Sequence, residues 1–252
     1  MSVIVIGDRL VGKTNMVVAL AEGTENLVIT EPDPQSIIMK KSNITTGMIA
    51  GTSKVEEETL SISVNLSTGW REFQTNWIDT PGEAWSNPIW RQDNPAQWQD
   101  IKNSVRDSKA VFLLMPPSRN MINPDQLDGG LGNELDQQPT SLQWQNQLGE
   151  KLSFLRKNAP NVQHILISIH KADLFCNITQ KERKWRYNPL QNFRWVDYNE
   201  HIQQAHFKIG EKIIRQHNRQ AFVTPRFFII AVAKAIRTFF CSLFPVPCSL
   251  KI

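Results

Sequence analysis

The chain has 252 residues, 40% of them hydrophobic and 21% charged, which suits one large or two small globular domains with a sizeable core. Its three cysteines, Cys176, Cys241 and Cys248, are an odd number with no C-x-x-C spacing, so neither a disulfide framework nor a zinc site is indicated, which fits a reducing, cytoplasmic location. The net charge of +4 is uneven: residues 176–226 hold ten Lys or Arg against four Asp or Glu, so the remainder is slightly acidic.

The start shows no charged and apolar leader, and Ser2 argues against myristoylation, so neither secretion nor lipid anchoring is expected. The β-branched run Val3-Ile4-Val5-Ile6 predicts a buried strand, and Asn15 to Glu22 a helix stopped by Gly23. Between them lies Gly7-Asp8-Arg9-Leu10-Val11-Gly12-Lys13-Thr14, which matches the P-loop pattern G-x-x-x-x-G-K-[ST]. Glycines let such a loop curl so that successive amides face inward, and the following helix adds its positive end. Gly7, Asp8, Val11, Gly12, Lys13, Thr14 and Asn15 are therefore expected to hold phosphates, with Lys13 on the terminal ones and the Thr14 hydroxyl on Mg²⁺.

Residues 27–53 read as irregular, with Pro32, Pro34 and a polar run from Lys40 to Thr46. Thr59 to Leu66 alternates with period two, Ser67-Thr68-Gly69 is a turn, and Trp70 to Ile78 returns, predicting a hairpin at a sheet edge. The second strand ends in Asp79-Thr80-Pro81-Gly82. Asn94 and Pro95 then start a helix with Trp98, Ile101 and Val105 on one face. Of the tryptophans nearby, Trp77 and Trp98 read as core. Trp85 and Trp90 lie outside any periodicity and are candidates for an exposed effector surface, with packing under a long loop as the alternative.

Ala110 to Met115 is a continuous apolar strand closed by Pro116-Pro117, followed by a polar loop to about Gln138. That loop's carboxylates lack calcium-binding spacing. A helix from about Thr140 to Lys157 carries Leu142, Leu148, Leu152 and Leu155, and Ile165 to Ile169 is a strand leading into His170-Lys171-Ala172-Asp173. A basic, aromatic stretch around Lys181 to Trp195 has the composition of a nucleic-acid or anionic-membrane surface. The same composition is more often a solvated loop, and that reading is preferred. Glu200 to His217 predicts a helix, Phe227 to Val232 the last strand, and the stripe from Ile236 to Phe244 a final amphipathic helix. Lys234 and Arg237 interrupt that apolar run, so no transmembrane segment is expected. Strands alternating with helices predict an α/β fold with a mostly parallel sheet, and ligands in such sheets bind beyond the strands' carboxyl ends.

In order, Gly7 to Thr14, Asp79 to Gly82 and His170 to Asp173 make the chain resemble the Ras-like, translation-factor class of P-loop GTPases, of bacterial type with insertions. The resemblance implies a three-layer G domain over residues 1–244, with one antiparallel edge strand, insertions near 116–139 and 175–199, and a short tail at 245–252. It implies GTP and GDP as ligands, Mg²⁺ as cofactor, conversion of GTP to GDP and phosphate, and an effector protein as partner. Asp79 would hold Mg²⁺ through a water and Gly82 would meet the terminal phosphate. Lys171 would lie along the base and Asp173 would accept from guanine N1–H and N2–H₂. Ala233 and Lys234, in Val232-Ala233-Lys234, stand where a further base contact is expected. His170 replaces the usual Asn or Thr. The Mg²⁺-binding switch threonine is read as Thr52, with Thr45 and Thr46 as alternatives. Glu83 stands where many members have a water-orienting Gln, and a carboxylate there repels phosphates at close range, so slow hydrolysis is expected. Two other readings fit the same residues: a non-hydrolysing guanine-nucleotide scaffold, and an ATP-using P-loop NTPase, because the P-loop itself does not choose the base.

Overall fold

The computed structural model describes residues 2–42, 51–66, 68–122, 135–171, 174–175, 213 and 226–231. Its centre is a seven-stranded sheet: β1 (Ser2–Ile6), β2 (Leu27–Glu31), β3 (Glu56–Leu66), β4 (Gly69–Asp79), β5 (Ala110–Met115), β6 (His164–Ile169) and β7 (Arg226–Ala231), in the order β2-β3-β4-β1-β5-β6-β7. From β4 to β7 every neighbouring pair is parallel, and the two pairs involving β3 are antiparallel. The sheet is thus mostly parallel, as the alternation of strands and helices predicts for an α/β fold, with antiparallel pairing at one edge.

Helices α1 (Lys13–Glu22), α2 (Pro34–Lys41), α3 (Glu83–Ser86), α4 (Pro88–Asp93), α5 (Pro95–Asp107) and α6 (Ser141–Asn158) connect the described strands. The chain leaves β1 toward the β4 side of the sheet and leaves β4 toward the β5 side. Right-handed crossovers therefore place the two sets of helices on opposite faces. Accordingly α1 packs beside α2, and α5 beside α6. β1 and β5 are covered on both faces and read as continuous apolar runs, with Val3 to Ile6 and Ala110 to Met115 all buried.

Three elements differ from the sequence expectation. Residues 27–42 are not irregular: Leu27 and Ile29 enter the core as β2, which pairs outside β3, so the predicted hairpin is one strand in from the edge. The prolines there are starters rather than breakers. Pro34 occupies the first turn of α2, where a missing N–H costs nothing, and Asp33 accepts from the Ser36 amide at 3.1 Å. On α6 Leu148, Leu152 and Leu155 are buried as expected, but Leu142 is 67% exposed, and Trp144 is buried instead, its Nε1 donating to the Pro116 carbonyl at 2.7 Å. A capping box between Thr140 and Gln143 fixes the start of that helix. Asn94 precedes α5 as expected, but its side chain donates to the Trp90 carbonyl at 2.9 Å rather than capping α5.

Trp85 is buried, which removes it from the candidate effector surface. Its ring packs edge-on against Trp98 and Phe154, with centroids 5.6 and 5.2 Å away, and its Nε1 donates to Thr80 at 2.8 Å. Trp90 is half-buried against the same core. Among the described residues no helix is long and apolar enough to cross a membrane. The basic stretch 181–195, the helix expected over 200–217 (apart from Ile213), the final stripe and the 245–252 tail lie outside the described residues.

Candidate phosphate and cation site

Register brings the motifs to one edge of the sheet. Val5 pairs with Asp79 and Ile6 with Leu113, while Met115 pairs with Ile169 and Ile169 with Ala231, so the segments after β1, β4, β5, β6 and β7 all emerge on the same side. Antiparallel β3 enters the sheet where β4 leaves it, with Glu56 paired to Asp79. The residues before β3, including Thr52, therefore arrive at that same edge.

The loop from Gly7 to Gly12 turns through two left-handed residues, Leu10 at φ 63° and Gly12 at φ 95°. Gly12 is doubly constrained, since a Cβ there would also lie 2.4 Å from the ring of His170. His170 is buried and its amide donates to the Met115 carbonyl at 2.9 Å. The ring thus braces the loop from the β6 side, the position an Asn or Thr was expected to fill.

Gly12 caps α1 without a side chain, and no acidic residue occupies the helix's first turn. Lys13, Thr14 and Asn15 of that turn line a pocket of about 520 Å³ together with Thr52 and Gly82. Free first-turn amides and the positive helix end make this a place for anions. Lys13 lies almost wholly buried here, its Nζ donating to the carbonyls of Gly7 at 2.8 Å and Asp8 at 3.1 Å. Burial pushes its ammonium down to about 8, against the opposing pull of Asp79 and Asp8. Gly82 closes the pocket from the other side: a Cβ on it would stand 2.6 Å from the Arg9 backbone, so only glycine allows this approach. Gly7, Asp8 and Val11, expected on the phosphates, are not among the residues that line this pocket. Val11 is in the core, and the Asp8 carboxylate is 3.0 Å from the buried Lys151 ammonium of α6.

Three oxygens meet at the floor. The Thr52 hydroxyl donates to Asp79 Oδ2 at 2.6 Å and stands 3.4 Å from the Thr14 hydroxyl. The other Asp79 oxygen, Oδ1, is buried without a hydrogen bond. Burial raises the Asp79 carboxyl above its ordinary value, opposed by the Thr52 hydrogen bond and by Lys13 and Lys41. Hard oxygens from two hydroxyls and one under-satisfied carboxylate beside an anion pocket fit Mg²⁺, which prefers few protein ligands plus phosphate and water. Thr14, Thr52 and Asp79 would hold the ion, which would neutralise phosphate charge. Of the three candidate switch threonines, Thr52 stands at this floor, while Thr45 and Thr46 lie outside the described residues. Below, Thr80 fixes the Asp79 segment by donating to the Val5 carbonyl at 2.6 Å.

No family model matches the chain, and no curated protein does. Among solved structures, the signal recognition particle receptor SRb-GTP/SRX complex from Chaetomium thermophilum is similar at 16% identity and a TM-score of 0.42, over 92% of this chain and 90% of that one.

Two lysines escaped the sequence reading. Lys41, at the end of α2, is buried, ion-paired with Glu56 and 4.0 Å from Asp79. Lys151 sits among Leu148, Leu152 and Leu155 on the buried side of α6. Neither has a local signal, because each partner is far away in sequence or lies across a segment read as irregular. Lys171, at φ 53°, borders a second groove of about 710 Å³ that it shares with Asp8 to Val11. Asp173, Ala233 and Lys234, the expected base-reading residues, lie outside the described residues.

The cation reading has a direct check. Removing the Thr52 hydroxyl, as Thr52→Ala, is expected to raise the Mg²⁺ concentration for half-maximal triphosphate binding about tenfold, the worth of roughly one charge-assisted contact. A magnesium titration with unchanged midpoint would exclude Thr52 from the ion.

Proposed function

We propose that the chain is a Mg²⁺-dependent guanine-nucleotide switch of the cytoplasm that hydrolyses GTP slowly and changes its affinity for a protein partner. The observation that carries this reading is the convergence of the Thr14, Thr52 and Asp79 oxygens beside the buried Lys13 and the uncapped start of α1. Thr52 and Gly82 belong to separate segments that both line this pocket. A ligand with a terminal phosphate and its cation would tie them together, and loss of that phosphate would release them. This is the physical form of a switch.

The choice of guanine rests on the Lys171-to-Asp173 pattern, since a carboxylate accepts from guanine N1–H and N2–H₂ and adenine offers no such pair. Competition of GTP against ATP tests it: wild-type protein should prefer GTP, and Asp173→Ala should lose that preference. An unchanged preference in the variant would remove the guanine assignment and favour the ATP-using alternative. The non-hydrolysing scaffold remains the second reading because Glu83 stands at the hydrolytic position, and its carboxylate is engaged by Arg9 at 2.9 Å.

A further inference from the structure

Arg9 is the third residue of the P-loop, and its side chain is 70% exposed at the rim of the phosphate pocket. Its Nη1 donates to Glu83 Oε1 at 2.9 Å, joining the loop after β1 to the residue that follows Gly82. The backbones are close as well: a Cβ added to Gly82 would lie 2.6 Å from the Arg9 Cα and amide. The pair therefore bridges two pocket walls at their point of contact, and both partners line the pocket itself.

From this geometry we propose that Arg9 is a contact for the terminal phosphate, supplied by the chain itself and held at the rim by Glu83. The proposal rests on the nucleotide-switch reading above. A guanidinium is permanently charged and carries a planar fork of donors that matches phosphate oxygens in pairs. Glu83 offers it one hydrogen bond at an exposed site, where an ion pair is weak and readily exchanged. A terminal phosphate carries more charge than a carboxylate, so the guanidinium exchanges its partner when such a group enters. No bond is made or broken in this exchange. It also changes the role of Glu83: its carboxylate is the counter-ion of Arg9, and their charges cancel at the rim, so it is no longer a lone anion facing the phosphates.

The exchange is specific to the terminal phosphate, which gives it a readout that general loop damage lacks. Binding of N-methylanthraniloyl GTP and GDP is measured at low salt with Mg²⁺, for wild type, Arg9→Ala, Arg9→Lys and Glu83→Gln. Arg9→Ala is expected to lower triphosphate affinity about tenfold while diphosphate affinity stays within about twofold. Arg9→Lys should recover part of the loss, since an ammonium keeps the charge but not the fork. Glu83→Gln should strengthen triphosphate binding by releasing the guanidinium. Equal weakening for both nucleotides in Arg9→Ala, or no change for either, would overturn the proposal. Wild-type protein that binds neither nucleotide would overturn the switch reading itself, a result distinct from normal binding with an unaltered triphosphate-to-diphosphate ratio in Arg9→Ala.

Discussion

Replacing Lys13 by alanine is expected to weaken nucleoside triphosphate binding by about 2–5 kcal/mol, a loss of roughly thirty- to several-thousandfold. The expectation is this large because the ammonium is buried, already hydrogen-bonded to the Gly7 and Asp8 carbonyls, and belongs to the first turn of α1, whose residues line the pocket. Its acid–base behaviour gives a second handle on the same group. With a pKa of about 8 in the free protein, Lys13 is mostly charged at neutral pH and mostly neutral only above pH about 8. An anion favours the charged form and so raises that pKa. Binding above pH about 8 must therefore take up a proton, and affinity should fall by up to about tenfold per further pH unit. Calorimetric titrations between pH 7 and 9, with a thermal melt of each protein to verify folding, check both statements. A flat profile, or wild-type affinity in Lys13→Ala, would place the phosphates elsewhere.

The second large effect is expected in stability. Lys151→Met removes the cation that approaches Asp8 at 3.0 Å, with the two side chains 6% and 15% exposed. The methionine fits the apolar side of α6, but the Asp8 carboxylate is left buried and unpaired at the base of the P-loop. Breaking such a pair from one side costs about 3–5 kcal/mol. For a chain of this size that corresponds to a fall in Tm of roughly 10 °C. The double variant Asp8→Asn with Lys151→Met removes both charges and should regain most of the loss. Thermal unfolding of the three proteins decides. A single variant that melts with wild type would mean that the pair does not anchor the loop to α6.

These two predictions draw on parts of the molecule that were unequally legible from sequence. The P-loop, the strand before it and the helix after it were readable because their signals are local: a β-branched run, glycines at fixed spacing and a stopping Gly23. Register did the rest, bringing Asp79 and His170 to the same sheet edge. Lys151 was not legible, since a lysine between Leu148 and Leu152 looks like a solvated position until Asp8, far away in sequence, is placed beside it. Residues 27–42 were misread for a related reason. Pro34 after Asp33 is a helix start, yet Pro32 so close by resembles a break, and β2 is too short to show periodicity. On α6 the phase was legible for Leu148, Leu152 and Leu155, and only the first turn was misassigned: Leu142 and Trp144 both lie near the helix start, and Trp144 turns inward to meet the Pro116 carbonyl. Trp85 looked unanchored because its partners, Thr80, Trp98 and Phe154, come from three different segments.

The central claim is that the amides of α1's first turn and the Thr14, Thr52 and Asp79 oxygens together hold a guanosine triphosphate with its magnesium ion. Calorimetric titration of the nucleotide-stripped protein with GTP, once with excess Mg²⁺ and once with a chelator, tests it most directly. Saturable binding of one GTP per chain that weakens sharply under the chelator is the predicted result. An absence of binding at millimolar GTP with magnesium present would contradict it.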